Sequence, residues 1–399
     1  MNELPNENQK KRGRTVFDRR VRFGGAILAC VICILAAAAV TAFVIFGKLG
    51  GVSRYKSAEK YLEVQNAIED NYIGESDETK MKDAAAEAMV TSLGDKWSYY
   101  MTADEYKTYK LSSANEYQGI GVTIAKDDST GGFRITSVIA DSPADKAGLT
   151  KDGIIMTVDG TDVTKLTVDG IRDLIQSKIN STITLGVSAD GGSPADYKVD
   201  CSVVYNNPVS YELKPGNVGY IKISNFDAGS GDAAKKAIDE LLSQGAKSMV
   251  FDVRDNPGGM LSELIKVLDY ILPEGDLFVS VDQSGKETVT KSDNVCLQMK
   301  MTVLVNENTY SAAEYFAAAL QEYNWATVVG TATTGKGRSQ TTIELSDGSA
   351  VHISSRKYLT PKRVDLSQKG GITPDVVVNA GDGKDDPQLS KALELVKNS

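Results

Sequence analysis

The amino-acid sequence predicts a multidomain α+β protein: an N-terminal transmembrane helix, a helical segment, a small strand-rich module and an α/β core. Three observations carry that expectation. Residues 23–47 hold no charge and directly follow a basic stretch. Residues 116–204 read as short strands with one helical piece. Residues 205–380 alternate strands with helices, and repeated β-then-α units indicate a mostly parallel sheet flanked by helices. At 399 residues the chain is too long for one core.

The tail, residues 1–22, carries Lys10, Lys11, Arg12, Arg14, Arg19, Arg20 and Arg22 against Glu3, Glu7 and Asp18. The uncharged run behind it is long enough for a bilayer, which takes about 20 apolar residues, and exceeds the roughly 7–15 of a secretory h-region. An uncleaved, single-pass anchor in the cell membrane is therefore expected. Basic flanks stay cytoplasmic, so the N-terminus is expected inside and everything after Lys48 outside. The alternative is a buried core helix, and the basic flank argues against it. Eight of 44 basic residues but three of 53 acidic ones lie in residues 1–48, which leaves the remainder at a net charge of −14. Phosphate contacts need Lys and Arg, so no nucleic-acid partner is expected. Cys30 and Cys33 are expected to pack within the apolar run. Cys201 and Cys296 could pair in an oxidising compartment.

Residues 48–115 read as helical, with apolar positions at helical spacing in KYLEVQNAIEDNYI and KMKDAAAEAMVTSLG. The aromatic stretch Trp97-Ser98-Tyr99-Tyr100 that closes this region is expected to be a packing element. The next module contains the strand-like segments GIGVTIA, GFRITSVI, GIIMTVDG and STITLGV, with VDGIRDLIQSK helical between the last two. In the α/β region VGYIKIS precedes GDAAKKAIDELLSQ, SMVFDV precedes MLSELIKVLDYIL, and MTVLVN precedes SAAEYFAAALQE. Residues 381–399 form a tail ending in the amphipathic helix PQLSKALELVKN. The N- and C-terminal helices are where a homodimer would be expected.

Ser311 opens the helix SAAEYFAAAL directly after a strand. A serine hydroxyl is a poor nucleophile until a neighbour takes its proton, and the chain has one histidine. Lys336, framed by Gly335 and Gly337, is the substitute base. For that its pKa of about 10.4 must fall by roughly 3–5 units, which burial can achieve. Gln340, four residues on, offers a side chain to orient the amine. The blander alternative is a capping box between Ser311 and Glu314, in which the serine only satisfies helix N–H groups. A helix start also offers a nucleophile free N–H groups and a positive dipole end, with the Ala312 amide placed to donate to an oxyanion.

Gly258 and Gly259, in Asp255-Asn256-Pro257-Gly258-Gly259-Met260, read either as an ordinary turn or as bare backbone N–H aimed at an oxyanion. Gly330 to Lys336 fits the first part of a phosphate-binding loop, but Gly337 replaces the required Ser or Thr and strands follow instead of a helix. His352, in SAVHISS, has no acidic neighbour in sequence and is expected to be structural. A lone histidine excludes H-E-x-x-H zinc chemistry. No cofactor and no metal are expected.

These segments resemble a known family, the carboxyl-terminal processing peptidases or tail-specific proteases, over nearly everything from about residue 60 onward. The family's S-A-S-A-S-E appears as Thr309-Tyr310-Ser311-Ala312-Ala313-Glu314, and its F-G-K-G-x-x-Q as Thr334-Gly335-Lys336-Gly337-Arg338-Ser339-Gln340. Both spacings match: 25 positions from Ser311 to Lys336 and four more to Gln340. R-N-N-P-G-G appears as Arg254-Asp255-Asn256-Pro257-Gly258-Gly259. Lys357-Tyr358-Leu359-Thr360-Pro361 and Gly371-Ile372-Thr373-Pro374-Asp375 match its late motifs. The strand-rich module resembles the family's PDZ domain, with Gly119, Ile120, Gly121 and Val122 in the carboxylate-binding loop. Tyr310, Ala313 and Thr334 depart from the family pattern beside the site, and Ile175-Gln176-Ser177 stands where I-R-G is common.

The resemblance implies a PDZ domain, a small β-barrel with helices, followed by an α/β crotonase-like peptidase core. It implies a membrane-anchored serine endopeptidase that cleaves extracytoplasmic proteins near their C-termini. Ser311 and Lys336 would form the dyad, Gln340 would orient the lysine, and Ala312 with Gly258 or Gly259 would supply oxyanion amides. The PDZ domain would take protein or peptide substrates with free, apolar C-termini. Two alternatives stay open: a PDZ adaptor with an inactive peptidase domain, and a Ser-His esterase using His352.

Overall fold

The computed structural model describes residues 23–48, 52–189, 192–383 and 385–397; the basic tail lies outside them. The chain divides into two compact units, residues 1–85 and 86–399. In the first, Phe23–Lys48 is one helix. Its stretch Ile27–Val44 has a mean hydropathy of 2.9 with none of it buried. Length and composition allow it to cross a membrane, a property that a signal sequence near an N-terminus shares. Val52–Asn71 forms the next helix.

The second unit is built around a six-stranded sheet. Its order is Val209–Lys214, Val218–Ile223, Ser248–Asp252, Lys300–Val305, Thr327–Gly330 and Val376–Val377. The first pair is antiparallel and every later pairing is parallel. Side chains alternate faces along a strand, and the residues obey this. Met249, Phe251 and Val303 pack on one face against Ile238, Leu241, Leu264 and Phe316 of the helices Ser230–Ser243, Leu261–Ile271 and Ala312–Glu322. Val250, Leu304 and Val329 point to the other face, against Ala392 and Val396. Phe316 meets Phe226 and Phe251 with ring centroids 5.7 and 5.5 Å apart. Truncating it to alanine would cost about 3–5 kcal/mol.

The C-terminal helix packs on the core. Spanning Pro387–Lys397, it closes the second face of the sheet. Arg254 fastens it: its guanidinium donates to Asp386 at 2.9 Å and to Gln388 at 3.1 Å while bridging Asp252.

A second sheet faces the helical side. Ala350–Leu359 pairs with Tyr99–Met101, Gly275–Val281 and Arg338–Glu344, and Gly275–Val281 pairs with Glu287–Ser292. The strand-rich module has its own sheet, in the order Val122–Lys126, Phe133–Val138, Ile154–Val158, Thr182–Ser188 and Ala195–Asp200. It encloses Phe133, Ile135, Ile155, Ile171, Leu185 and Val199. Cys201, buried in that core, and Cys296, which the sequence left free to pair or not, are both free thiols in this structure.

Candidate active site

In parallel α/β sheets, ligands gather outside the carboxyl ends of the strands, and the singled-out residues lie there. Asp252, Val305 and Gly330 end their strands, and the following loops carry Gly258 and Gly259, Ser311, and Lys336. Gly258, Gly259, Ser311 and Lys336 line one cleft of about 620 Å³.

Ser311 has φ 58° and ψ −125°, an uncommon conformation for a non-glycine residue, and its side chain makes no capping hydrogen bond. Such backbone costs of order 1–3 kcal/mol and persists only when its surroundings hold it. Here they do: Thr309 Oγ1 donates to the Val253 carbonyl at 2.8 Å, and the Tyr310 N–H donates to the Asn256 carbonyl at 3.2 Å. The capping-box alternative is overturned, because Glu314 does not turn back to Ser311. It is fully buried and reaches the lysine loop, accepting from the Gly335 N–H at 2.7 Å, the Lys336 N–H at 2.9 Å and the Thr333 hydroxyl.

Lys336 is 9% exposed. Its ammonium lies 4.6 Å from the Trp97 ring centroid and 5.9 Å from that of Tyr310. Among the described residues Nζ makes no hydrogen bond or ion pair. Burial pushes its pKa down to about 8, against a smaller upward pull from Asp95. Trp97 was expected only to pack; it also covers the lysine. Gly335 allows the hinge, since a Cβ there would stand 2.8 Å from the Gly371 nitrogen.

Gly258, at φ 95°, lets its loop press on the serine, because a Cβ would fall 2.7 Å from Ser311 Cβ and 2.9 Å from the Ala312 nitrogen. Its own N–H donates to Asn256 Oδ1 at 2.8 Å, so it is not available as an oxyanion donor here. The Gly259 and Ala312 amides have no acceptor among the described residues. Gln340 lines the cleft, but its Nε2 donates to the Arg338 carbonyl and Ser354 Oγ, at 3.1 and 3.0 Å, and among the described residues it makes no hydrogen bond with the lysine amine.

His352 also lines this cleft. Its Nδ1 pairs with Thr342 Oγ1 at 2.8 Å and its ring stacks on Tyr99 at 4.7 Å. Burial, and then the nearby Lys336, push its pKa down to about 4, so it is neutral near pH 7. Asp227, unremarked in the sequence, lines the cleft as well, and burial raises its carboxyl to about 6.

In the strand-rich module Val122–Lys126 is an edge strand beside the helix Val168–Gln176. The Ile120 and Gly121 amides have no acceptor among the described residues, whereas Gly119 is paired with Ser202. Gly121, at φ 93°, packs so closely on Ser142 that a Cβ would lie 2.2 Å from the serine Cβ.

The profile of peptidase family S41 matches residues 217–378, and that of the PDZ domain matches residues 110–188. A CtpA-like serine protease of Staphylococcus haemolyticus is 32% identical over 359 residues, covering 88% of this chain and 71% of that protein. The chain belongs to peptidase family S41. Another CtpA-like serine protease, from Staphylococcus epidermidis, is 32% identical over 320 residues, and the chain spans 64% of its length. Among solved structures, the photosystem II D1 C-terminal processing protease matches with a TM-score of 0.50 at 26% identity, over 87% of this chain and 92% of that one. The S41 match takes in Ser311, Lys336, Gln340 and both loop glycines, and the PDZ match takes in residues 119–122.

Proposed function

We propose that this S41 member is a serine endopeptidase in which Ser311 is the nucleophile and Lys336 the base. One observation carries the reading: a buried lysine amine that makes no ion pair among the described residues opens onto the same cleft as a serine held at positive φ. A neutral amine can accept a serine proton, and burial is what makes the amine neutral near working pH.

In the proposed reaction the Lys336 side chain turns from Trp97 toward Ser311. Oγ attacks the peptide carbonyl as its proton passes to Nζ, and the carbonyl electron pair moves onto oxygen. The Gly259 and Ala312 amides donate to that oxyanion. Collapse expels the amine, which takes the proton from Nζ, and water then releases the acyl group by the same steps. Gln340 Oε1 is the group left to orient the ammonium.

The fold reading behind this is a crotonase-like α/β core, supported by the parallel sheet with its loops at the strand ends. The PDZ domain would capture a substrate's apolar C-terminus by strand addition along Val122–Lys126, with the Ile120 and Gly121 amides on its carboxylate. The helix Phe23–Lys48 would anchor the chain, basic end inside and peptidase outside. Protease added to intact cells should then digest the domains and spare an N-terminal tag; the opposite pattern would reverse the topology.

The enzymatic reading is tested by mass spectrometry after treatment with a fluorophosphonate, alongside turnover of a peptide with an apolar tail. We expect one adduct, on Ser311, and turnover that Ser311→Ala abolishes. Near-normal turnover in that variant would sink the assignment.

A further inference from the structure

We propose that Tyr358 is a positioning residue for Ser311, its phenol hydroxyl donating a hydrogen bond to Oγ; the inference rests on the peptidase reading above. Tyr358 is 3% exposed, and its hydroxyl has no hydrogen-bond partner among the described residues. Buried hydroxyls are nearly always paired, and an orphan costs stability, so each one calls for an explanation.

Its surroundings supply one. The hydroxyl lies against the Ser311 side chain at the wall of the cleft. Its ring is fixed by Phe278 and Tyr315, with centroids 5.8 and 5.7 Å away, so the hydroxyl has little freedom to seek another partner. Tyr315, beside it, is different: its hydroxyl donates to the Leu359 carbonyl at 2.9 Å. The Tyr358 N–H donates to the Gly337 carbonyl at 3.2 Å, which ties this residue to the lysine hinge as well.

The needs of the serine oxygen complete the argument. A hydroxyl offers one proton and two lone pairs. During attack the proton goes to Lys336 and one lone pair goes to the carbonyl carbon. The second lone pair, on an oxygen gaining negative charge, needs a donor. Tyr358 O–H is the side-chain donor beside it, and burial raises its pKa well above 10, so it keeps its proton throughout. No bond to Tyr358 forms or breaks; the phenol holds Oγ in line and strengthens its grip as charge develops.

The test is Tyr358→Phe in the full chain, which keeps the ring and removes the hydroxyl. The expected result is a kcat lower by roughly 10–100-fold with KM within about threefold, and slower fluorophosphonate labelling of Ser311 to a similar degree. The pH midpoint should stay in place, because the lysine is untouched. The variant should fold with an unchanged circular-dichroism spectrum, since the ring and its packing on Phe278 and Tyr315 are kept. Labelling and kcat within twofold of wild type would overturn the inference, as would a raised KM at unchanged kcat or a variant that fails to fold. Wild type that neither labels nor cleaves would instead remove the peptidase reading, and this inference with it.

Discussion

Glu314 accepts the backbone N–H of Lys336 at 2.9 Å while standing in the first turn of the helix that Ser311 opens. One buried carboxylate thus sets the lysine loop in register with the serine, although the two come from different β–α units. Burial raises the Glu314 pKa, and the bonds from Thr333, Lys336 and Gly335 pull against that rise.

Glu314→Gln should lower kcat by roughly 10-fold or more, because an amide oxygen can serve only some of those donors and its NH2 group opposes the rest. KM should change little. Steady-state kinetics on the purified protein check this, and unchanged kcat would show that the lysine loop holds its place without the carboxylate.

Lys336→Met should stabilise the protein near pH 7. The folded-state pKa, about 8, lies below the ordinary lysine value of 10.5, so folding buries a charge that the unfolded chain keeps in water. That burden is full below about pH 8 and is relieved as pH rises toward about 10.5. After the attraction to the Trp97 ring is subtracted, a gain of about 1–3 kcal/mol is expected at pH 7. It should shrink across pH 8–10.5. Urea denaturation at several pH values measures it; a loss of stability at pH 7 would mean that the ammonium is well paired.

Much of this was legible in the sequence, for identifiable reasons. The β–α alternation showed because period-2 runs such as SMVFDV give way to helical spacing in MLSELIKVLDYIL. Ser311 and Lys336 stood out through local context, a helix start and a glycine hinge. The roles of Trp97, Glu314 and Tyr358 did not, since each depends on a partner far along the chain that no local pattern encodes. Trp97 sat in an aromatic run that looks like packing, and Glu314 fitted a capping box that the structure does not form. Where the C-terminal helix packs was not legible either, because its apolar stripe does not say which surface it covers.

The PDZ domain should prefer a free C-terminus. Fluorescence anisotropy with an apolar-ended peptide should show binding weakened roughly 10-fold or more by amidation, since the Ile120 and Gly121 amides would lose a charged acceptor. Equal affinity for acid and amide would refute carboxylate capture.

The assignment of Lys336 as base is tested most directly by the pH dependence of kcat/KM. Only the neutral amine accepts the serine proton, so activity should rise with pH through a single midpoint near 8, where the buried lysine titrates. Lys336→Ala should abolish that rise together with the activity. A midpoint near 4–6.5 that His352→Ala removes would assign the base to the imidazole. A rise only above about pH 10 would mean that the lysine is solvated and untuned. Either result would contradict the dyad.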